Sequence, residues 1–231
     1  MIFRQLFDHE SSTYTYLLGD ANSGEALLID PVIANTDSYL SLLQQLNLTL
    51  KLCVDTHTHA DHITALGALR ERTGCITMMG EQAMADCVSQ SFAHLDQIEV
   101  GSIKLQVLYT PGHTDDSYSF YVPDAAMLFT GDTLLIRGTG RTDFQNGDAL
   151  AQYHSLHELL LKLPEHTEVY PAHDYKGWSK SSIREERQHN PRLQVSSAED
   201  YAAIMAALKL PNPKLMDIAV PANQACGESG S

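Results

Sequence analysis

Residues 57–62 read His-Thr-His-Ala-Asp-His and follow directly on KLCVDT, an apolar run of strand type. Three imidazoles and a carboxylate packed into six residues are hard to place in any stable fold. Clustered imidazoles lose solvation on burial and repel one another if protonated. A divalent metal removes both costs, because it takes them as neutral ligands. The bland alternative is a polar loop at a helix N-terminus, and three of the chain's eleven histidines are a costly way to build one.

The same arrangement recurs along the chain. IKLQVLYT reads as a strand and runs into Pro111-Gly112-His113. AMLFT runs into Gly131-Asp132, and EVY into Pro171-Ala172-His173. Each cluster follows the end of an expected strand, and loops at one end of a strand scaffold are where α/β proteins place their chemistry. Asp132 behind an apolar strand is costly unless it is paired or bound to metal. His9, His94, His154, His157, His166 and His189 fall on helices or polar loops and read as ordinary solvated or satisfied histidines.

The rest of the pattern alternates strands with helices. RQLF, TYTYLL, EALLID, CITMM and SYSFYV read as further strands. Helices are expected over 37–46 with Thr36 as N-cap, from about Ile63 to Arg72 closed by Gly74, and over 148–163, ended by Pro164. That last helix has an apolar face of Leu150, Tyr153, Leu156, Leu159, Leu160 and Leu163. The last third is helical, with Ser197 and Asp200 resembling a capping box ahead of the stripe Tyr201, Ile204, Met205 and Leu208. A chain of 231 residues can bury a sizeable core as one large domain or two small ones. Its formal net charge of -14 disfavours nucleic acid as a partner. No apolar run approaches membrane-spanning length, and the N-terminus has no signal-peptide layout, so a cytoplasmic protein is expected. Cys53, Cys75, Cys87 and Cys226 form no CxxC pair and are expected as free thiols, with Cys226 the accessible one.

HxHxDH, then GH, then GD, then a last His resembles the metallo-β-lactamase superfamily, from about residue 10 to residue 190. The resemblance implies an α/β fold, the αββα sandwich, as a single domain over 1–231. A short helical segment would begin near 180, with a disordered tail over 227–231. It also implies up to two metals: His57, His59 and His113 around one, Asp61, His62 and His173 around the other, with Asp132 bridging. The ligand set alone does not choose between two zincs and one iron.

THTHADHIT, FTGDTLLIRGTGRTDFQNG, YPAHDYKG, EERQHNPRL and DIAVPANQACG together look like the persulfide (sulfur) dioxygenase branch of that superfamily. The branch implies one Fe(II) per chain on His57, His113 and Asp132, a two-His-one-carboxylate face that leaves three positions open. His59, Asp61, His62 and His173 would then orient ligands and water around it. Glutathione persulfide and O₂ are the implied reactants, sulfite and glutathione the products. Arg141 and Tyr175 are placed near glutathione, and Arg141 has the forked guanidinium that suits a carboxylate. The plainer roles are a loop salt bridge to Asp143 for Arg141 and packing over the loop for Tyr175. Asp115 and Asp116 depart from the family pattern after His113. Two competitors remain: a glyoxalase II-type binuclear zinc hydroxyacylglutathione hydrolase, and a non-catalytic sulfur carrier with Cys226 as acceptor thiol. Membrane association is not expected. The oligomeric state is open, with a homodimer among the expectations.

Overall fold

A computed structural model describes residues 1–211 and 215–227. The described residues form two compact units, the first made of residues 1–92, 97–104 and 215–227, the second of 93–96 and 105–211.

In the first unit, β1 (Ile2–Asp8), β2 (Thr13–Gly19), β3 (Glu25–Ile29), β4 (Thr49–Val54), β5 (Ile76–Gly80) and β6 (Gln90–Phe92) form a sheet in chain order. β1, β2 and β3 pair antiparallel, whereas β3 to β6 run parallel. Parallel neighbours need crossovers, and α1 (Thr36–Gln45) and α2 (Leu66–Thr73) supply two of them. Their inward residues Tyr39, Leu43, Leu66 and Leu69 join Leu17, Leu28, Leu50 and Met79 in one apolar cluster. Gly74, at φ 72°, closes α2 as expected. Two boundaries move. Thr36 lies inside α1 with its hydroxyl donated to Ile33 O at 2.7 Å, not capping. α2 starts at Leu66 because the loop before it bonds elsewhere: Ile63 O accepts from Ile33 N and Thr64 N donates to Asn223 Oδ1.

β7 (Gln97–Val100) and the first two residues of β8 (Ile103–Tyr109) group with the first unit. The rest of β8, with β9 (Tyr118–Val122), β10 (Met127–Phe129), β11 (Glu168–Tyr170) and β12 (Ser181–Ser182), belongs to the second. The second sheet runs β12-β11-β10-β9-β8-β7. Only β10 and β11 are paired in parallel among its described pairings, and the connection between them carries α3 (Ala149–His154). α4 (Ile183–His189) and α5 (Ala198–Ala206) complete this unit, with Tyr201 and Met205 of α5 packed on Leu156, Leu160, Val169 and Ile183. Ser197 caps α5 through Asp200 N, as the sequence suggests.

The expected helix over 148–163 is α only to His154. It continues as a π turn over Ser155–Leu159 and a 3₁₀ turn over Leu160–Lys162. The wide turn shifts the phase of the apolar face. Leu156, Leu160 and Leu161 are buried, while Leu150, counted on the expected face, is exposed. The cysteines need a larger correction. Cys53 and Cys75 are buried free thiols, but Cys87 and Cys226 form a disulfide across 139 residues, and Cys226 is fully buried. An accessible acceptor thiol at Cys226 is therefore not found. Apart from residue 227, the expected disordered tail lies outside the described residues.

Candidate metal centre

The loop after β4 carries four of the predicted site residues, and Asp30 at the end of β3 holds it. Asp30 sits in the left-handed region at φ 52°, a conformation that Asp and Asn tolerate better than most residues. Its Oδ1 accepts from Thr56 N at 2.7 Å and its Oδ2 from Thr56 Oγ1 at 3.0 Å. Thr56 has one hydroxyl proton and spends it on Asp30. The 3.0 Å contact between Thr56 Oγ1 and His57 Nδ1 therefore has the imidazole as donor. That assignment leaves the lone pair of His57 on Nε2, the form a metal needs.

His59 is fully buried, with Nε2 3.2 Å from Asp30 Oδ1 and Nδ1 without a hydrogen-bond partner. Burial pushes its pKa down. The charge and hydrogen bond of Asp30, with Asp55 and Asp61 behind it, outweigh burial and bring it up to about 9. His62 Nδ1 lies 2.8 Å from Asp61 Oδ2, and Thr13 Oγ1 donates to that same carboxylate oxygen at 3.1 Å. Within this unit His59, Asp61 and His62 each bring a donor atom within 4.8 Å of the others, and so do Asp30, Asp55 and His59. Such a concentration of carboxylates and imidazoles, with a buried imidazole nitrogen left over, fits a cation. Asp30 and Asp55 were not among the residues expected. Each is a carboxylate at the end of an apolar strand, the signal that singled out Asp132.

The other three residues of the metal motif, His113, Asp132 and His173, lie on loops of the second unit, after β8, β10 and β11. His113 Nδ1 stands 2.7 Å from Arg141 O. A carbonyl can only accept, so Nδ1 carries the proton and Nε2 the lone pair. That Nε2 lies 3.5 Å from Asp132 Oδ2, while Asp132 Oδ1 is 2.7 Å from His173 Nδ1. One carboxylate thus joins both histidines. The turn bearing His113 is anchored from behind: Asp148 N donates to Gly112 O at 2.9 Å and Ser155 Oγ to Pro111 O at 2.7 Å. Gly140 passes so close that a Cβ there would stand 2.3 Å from Asp132 O and 2.8 Å from the His113 ring, so a larger residue would displace both.

Arg141 forms the bidentate pair with Asp143 named above as its plainer role, at 2.6 and 2.8 Å. It also donates to Pro211 O and lies over the Phe144 ring at 4.1 Å. Tyr175 is 73 % exposed and nearly parallel to the His173 ring, with centroids 6.1 Å apart. The two acidic departures separate in role. Asp116 is buried and accepts from Thr114 Oγ1 at 2.5 Å, closing the turn after His113. Asp115 is exposed and bonds Asn146.

Residues 10–85 and 92–173 match the family described as Metallo-beta-lactamase superfamily. The chain belongs to the metallo-β-lactamase superfamily. Its α/β architecture of two mixed sheets with helices is the metallo-β-lactamase fold. The branch resemblance also holds. The chain is 46 % identical to persulfide dioxygenase ETHE1, mitochondrial, of Mus musculus, over 98 % of this chain and 89 % of that one. The crystal structure of ETHE1 from Myxococcus xanthus superposes with a TM-score of 0.96 at 54 % identity, covering 99 % of this chain and 100 % of that one. A hydroxyacylglutathione hydrolase of Thermosynechococcus vestitus is more distant, at 33 % identity over 82 % of this metallo-β-lactamase chain and 74 % of that one.

Proposed function

We propose that this chain is an iron-dependent persulfide dioxygenase, converting glutathione persulfide, O₂ and water to glutathione and sulfite with release of two protons. The observation that carries the reading is the 46 % identity, over nearly the whole chain, with a protein named persulfide dioxygenase, in a chain that keeps every histidine and aspartate of the metal motif. One Fe(II) would be held by His57, His113 and Asp132. The bound iron supplies the redox chemistry by which the outer sulfur is oxidised.

The residues have separable tasks. The proton on His57 Nδ1 is tied to Thr56 and the proton on His113 Nδ1 to the Arg141 carbonyl, so both rings keep Nε2 as donor. Asp132 is steadied by His173 through Oδ1, and its Oδ2 lies 3.5 Å from His113 Nε2. His59, Asp61 and His62 bring charge and hydrogen bonds to the same loop without being counted as ligands. Arg141 receives a carboxylate of glutathione through its fork, exchanging it for Asp143, and offers local positive charge in a chain of net charge -14. Tyr175 provides an exposed ring face beside the tripeptide.

A second reading rests on the second donor group. His59, Asp61 and His62 lie close enough to share a cation, as a binuclear zinc thioester hydrolase would require. One experiment separates the two. Protein purified without air is expected to contain about one iron per chain and to take up O₂ only when glutathione persulfide is added. Two zincs per chain, full hydrolysis of lactoylglutathione and no O₂ uptake would overturn the proposal.

A further inference from the structure

The loop that carries His57, His59, Asp61 and His62 is tied to a residue about 160 positions further along the chain. Asn223 lies near the end of the C-terminal helix Met216–Gln224 and is fully buried. Its Nδ2 donates to His59 O at 2.9 Å and to His62 O at 2.8 Å, and its Oδ1 accepts from Thr64 N at 2.8 Å. The partners fix the orientation of the amide: two carbonyls require the NH₂ group and a backbone N–H requires the oxygen. Both protons of the carboxamide are used, and every bond goes to backbone of the ligand loop or of the residues just after it. No other natural side chain of this length presents two donors and an acceptor in one plane.

The segment after Asn223 is pressed onto the same loop. Cys226 O accepts from Gly67 N at 2.9 Å. Gly227, at φ 81°, lies where a Cβ would stand 2.1 Å from Thr64 O, so only glycine fits. The Cys87–Cys226 disulfide fastens this turn to the chain just before β6. α2 begins only at Leu66, so the helix does not set the path of 59–64. The bonds that set it come from Asn223, at His59, His62 and Thr64, and from the chain at Pro31–Ile33, whose Ile33 N donates to Ile63 O and whose Pro31 O accepts from Ala65 N.

We propose that Asn223 is a positioning residue of the metal centre: its carboxamide seats the backbone of His59, His62 and Thr64, and so fixes where the imidazoles of this loop point. Residues that orient metal ligands typically change metal affinity about 10- to 100-fold when removed. The inference rests on the metal reading given above, and its test keeps the two apart.

The metal-free full chain is titrated with cobalt(II), whose visible absorption reports histidine coordination directly. Asn223→Ala is expected to weaken cobalt binding about 10- to 100-fold and to alter the absorption bands, with a far-ultraviolet circular dichroism spectrum like that of the wild type. Asn223→Asp is expected to weaken it as well, because a carboxylate accepts from Thr64 N but cannot donate to two carbonyls. Leu43→Ala, which loosens the core of the same unit without touching the loop, is expected to lower thermal stability and leave cobalt affinity and bands unchanged. Wild-type affinity and bands in Asn223→Ala, or an equal loss in Leu43→Ala, overturns the proposal.

Amide hydrogen exchange on the wild-type chain, with no metal added, decides the point even if the Asn223 variants do not fold. The Thr64 amide is expected to exchange as slowly as that of Gly67, and both to speed up together when the disulfide is reduced. A Thr64 amide exchanging at the rate of an open loop refutes the seating. A wild-type chain that binds no cobalt refutes the metal reading instead, and leaves the Thr64 result to stand on its own.

Discussion

Arg137 is held by two carboxylates that differ in one respect, and the difference can be measured. Glu186 is fully buried and Glu185 is 46 % exposed at its side chain; both pair with the Arg137 guanidinium. Glu186 does more. Its Oε2 accepts from Arg137 N at 2.9 Å and from Asn190 Nδ2 at 2.8 Å, and its Oε1 from Ser181 Oγ at 2.6 Å. Asn190 also donates to Gly138 O at 2.9 Å. The network therefore fixes the turn at 137–138, between Asp132 and Arg141, where Arg137 sits in the left-handed region at φ 57°. Glu186→Ala takes the acceptor from Arg137 N and from the Ser181 hydroxyl, and removes the buried one of the two carboxylates that pair with the Arg137 guanidinium, while Asn190 Nδ2 keeps Gly138 O. Removing one partner of a buried pair costs about 3–5 kcal/mol. At roughly 2–4 °C per kcal/mol for a chain of this size, the midpoint of thermal unfolding should fall by about 6–20 °C. Glu185→Ala removes the exposed partner of the same arginine and should cost less than about 1 kcal/mol, a shift of no more than a few degrees. Differential scanning calorimetry of the three proteins at equal metal content reads both numbers. Equal shifts for the two variants would refute the claim that burial, and not the ion pair as such, sets the energy here.

Three further outcomes are expected. Arg141→Ala should raise the KM for glutathione persulfide about 10- to 100-fold, the worth of a charge-assisted hydrogen bond, with kcat little changed, whereas Asp143→Ala should lower that KM by removing an internal competitor; steady-state O₂ uptake separates them, and unchanged KM values in both would take Arg141 out of the substrate site. Thiol titration of the denatured chain should count two groups before reduction, Cys53 and Cys75, and four after it; four from the start would mean no disulfide. Asp20 is held down to about 2 by the N–H groups of Asn22 and Ser102, so its contribution is complete above its ordinary value of 3.8 and is lost as pH falls from there towards 2; urea unfolding should show the wild type's advantage over Asp20→Asn shrinking across that window, and a constant advantage would count against the assignment.

Strands announced themselves where they were continuous and apolar. β2 is buried along its whole length, and TYTYLL could be read from composition alone. β6, β7 and β12 could not. QSF, QIEV and SS are short and largely polar, without the apolar run that marks a strand, and they become strands because a neighbouring edge offers hydrogen bonds. Helix ends were misplaced for a similar reason. Thr36 reads as a cap, but its hydroxyl donates backwards to Ile33 O, and the expected start of α2 near Ile63 is drawn off by bonds of Ile63 and Thr64 to Ile33 N and Asn223. The cysteine pairing was out of reach, since a bridge across 139 residues leaves no trace in spacing.

The candidate site shows where reading by motif stops. Histidine is rare and costly to cluster, so HTHADH stands out in any sequence. The groups that make it usable are Asp30, Thr56, Asn223 and the Arg141 carbonyl, all commonplace. Their role comes entirely from position: a proton acceptor behind His57, a carboxylate beside His59, a carboxamide facing three backbone groups, a carbonyl behind His113. Each fixes a tautomer or a backbone path, and neither property is encoded in residue identity. A protein could therefore keep every histidine of the motif and lose its metal chemistry through Asp30 or Asn223. Conversely, the retained motif alone does not say which imidazoles bind. Hydrogen bonding decides which ring nitrogen of each is left for a metal. Here His57 and His113 have the proton on Nδ1 and the lone pair on Nε2, whereas His59 has Nε2 engaged by Asp30 and Nδ1 without a hydrogen-bond partner. His59 thus differs from the other two in which ring nitrogen its neighbours hold, and either nitrogen of a neutral imidazole can bind a metal.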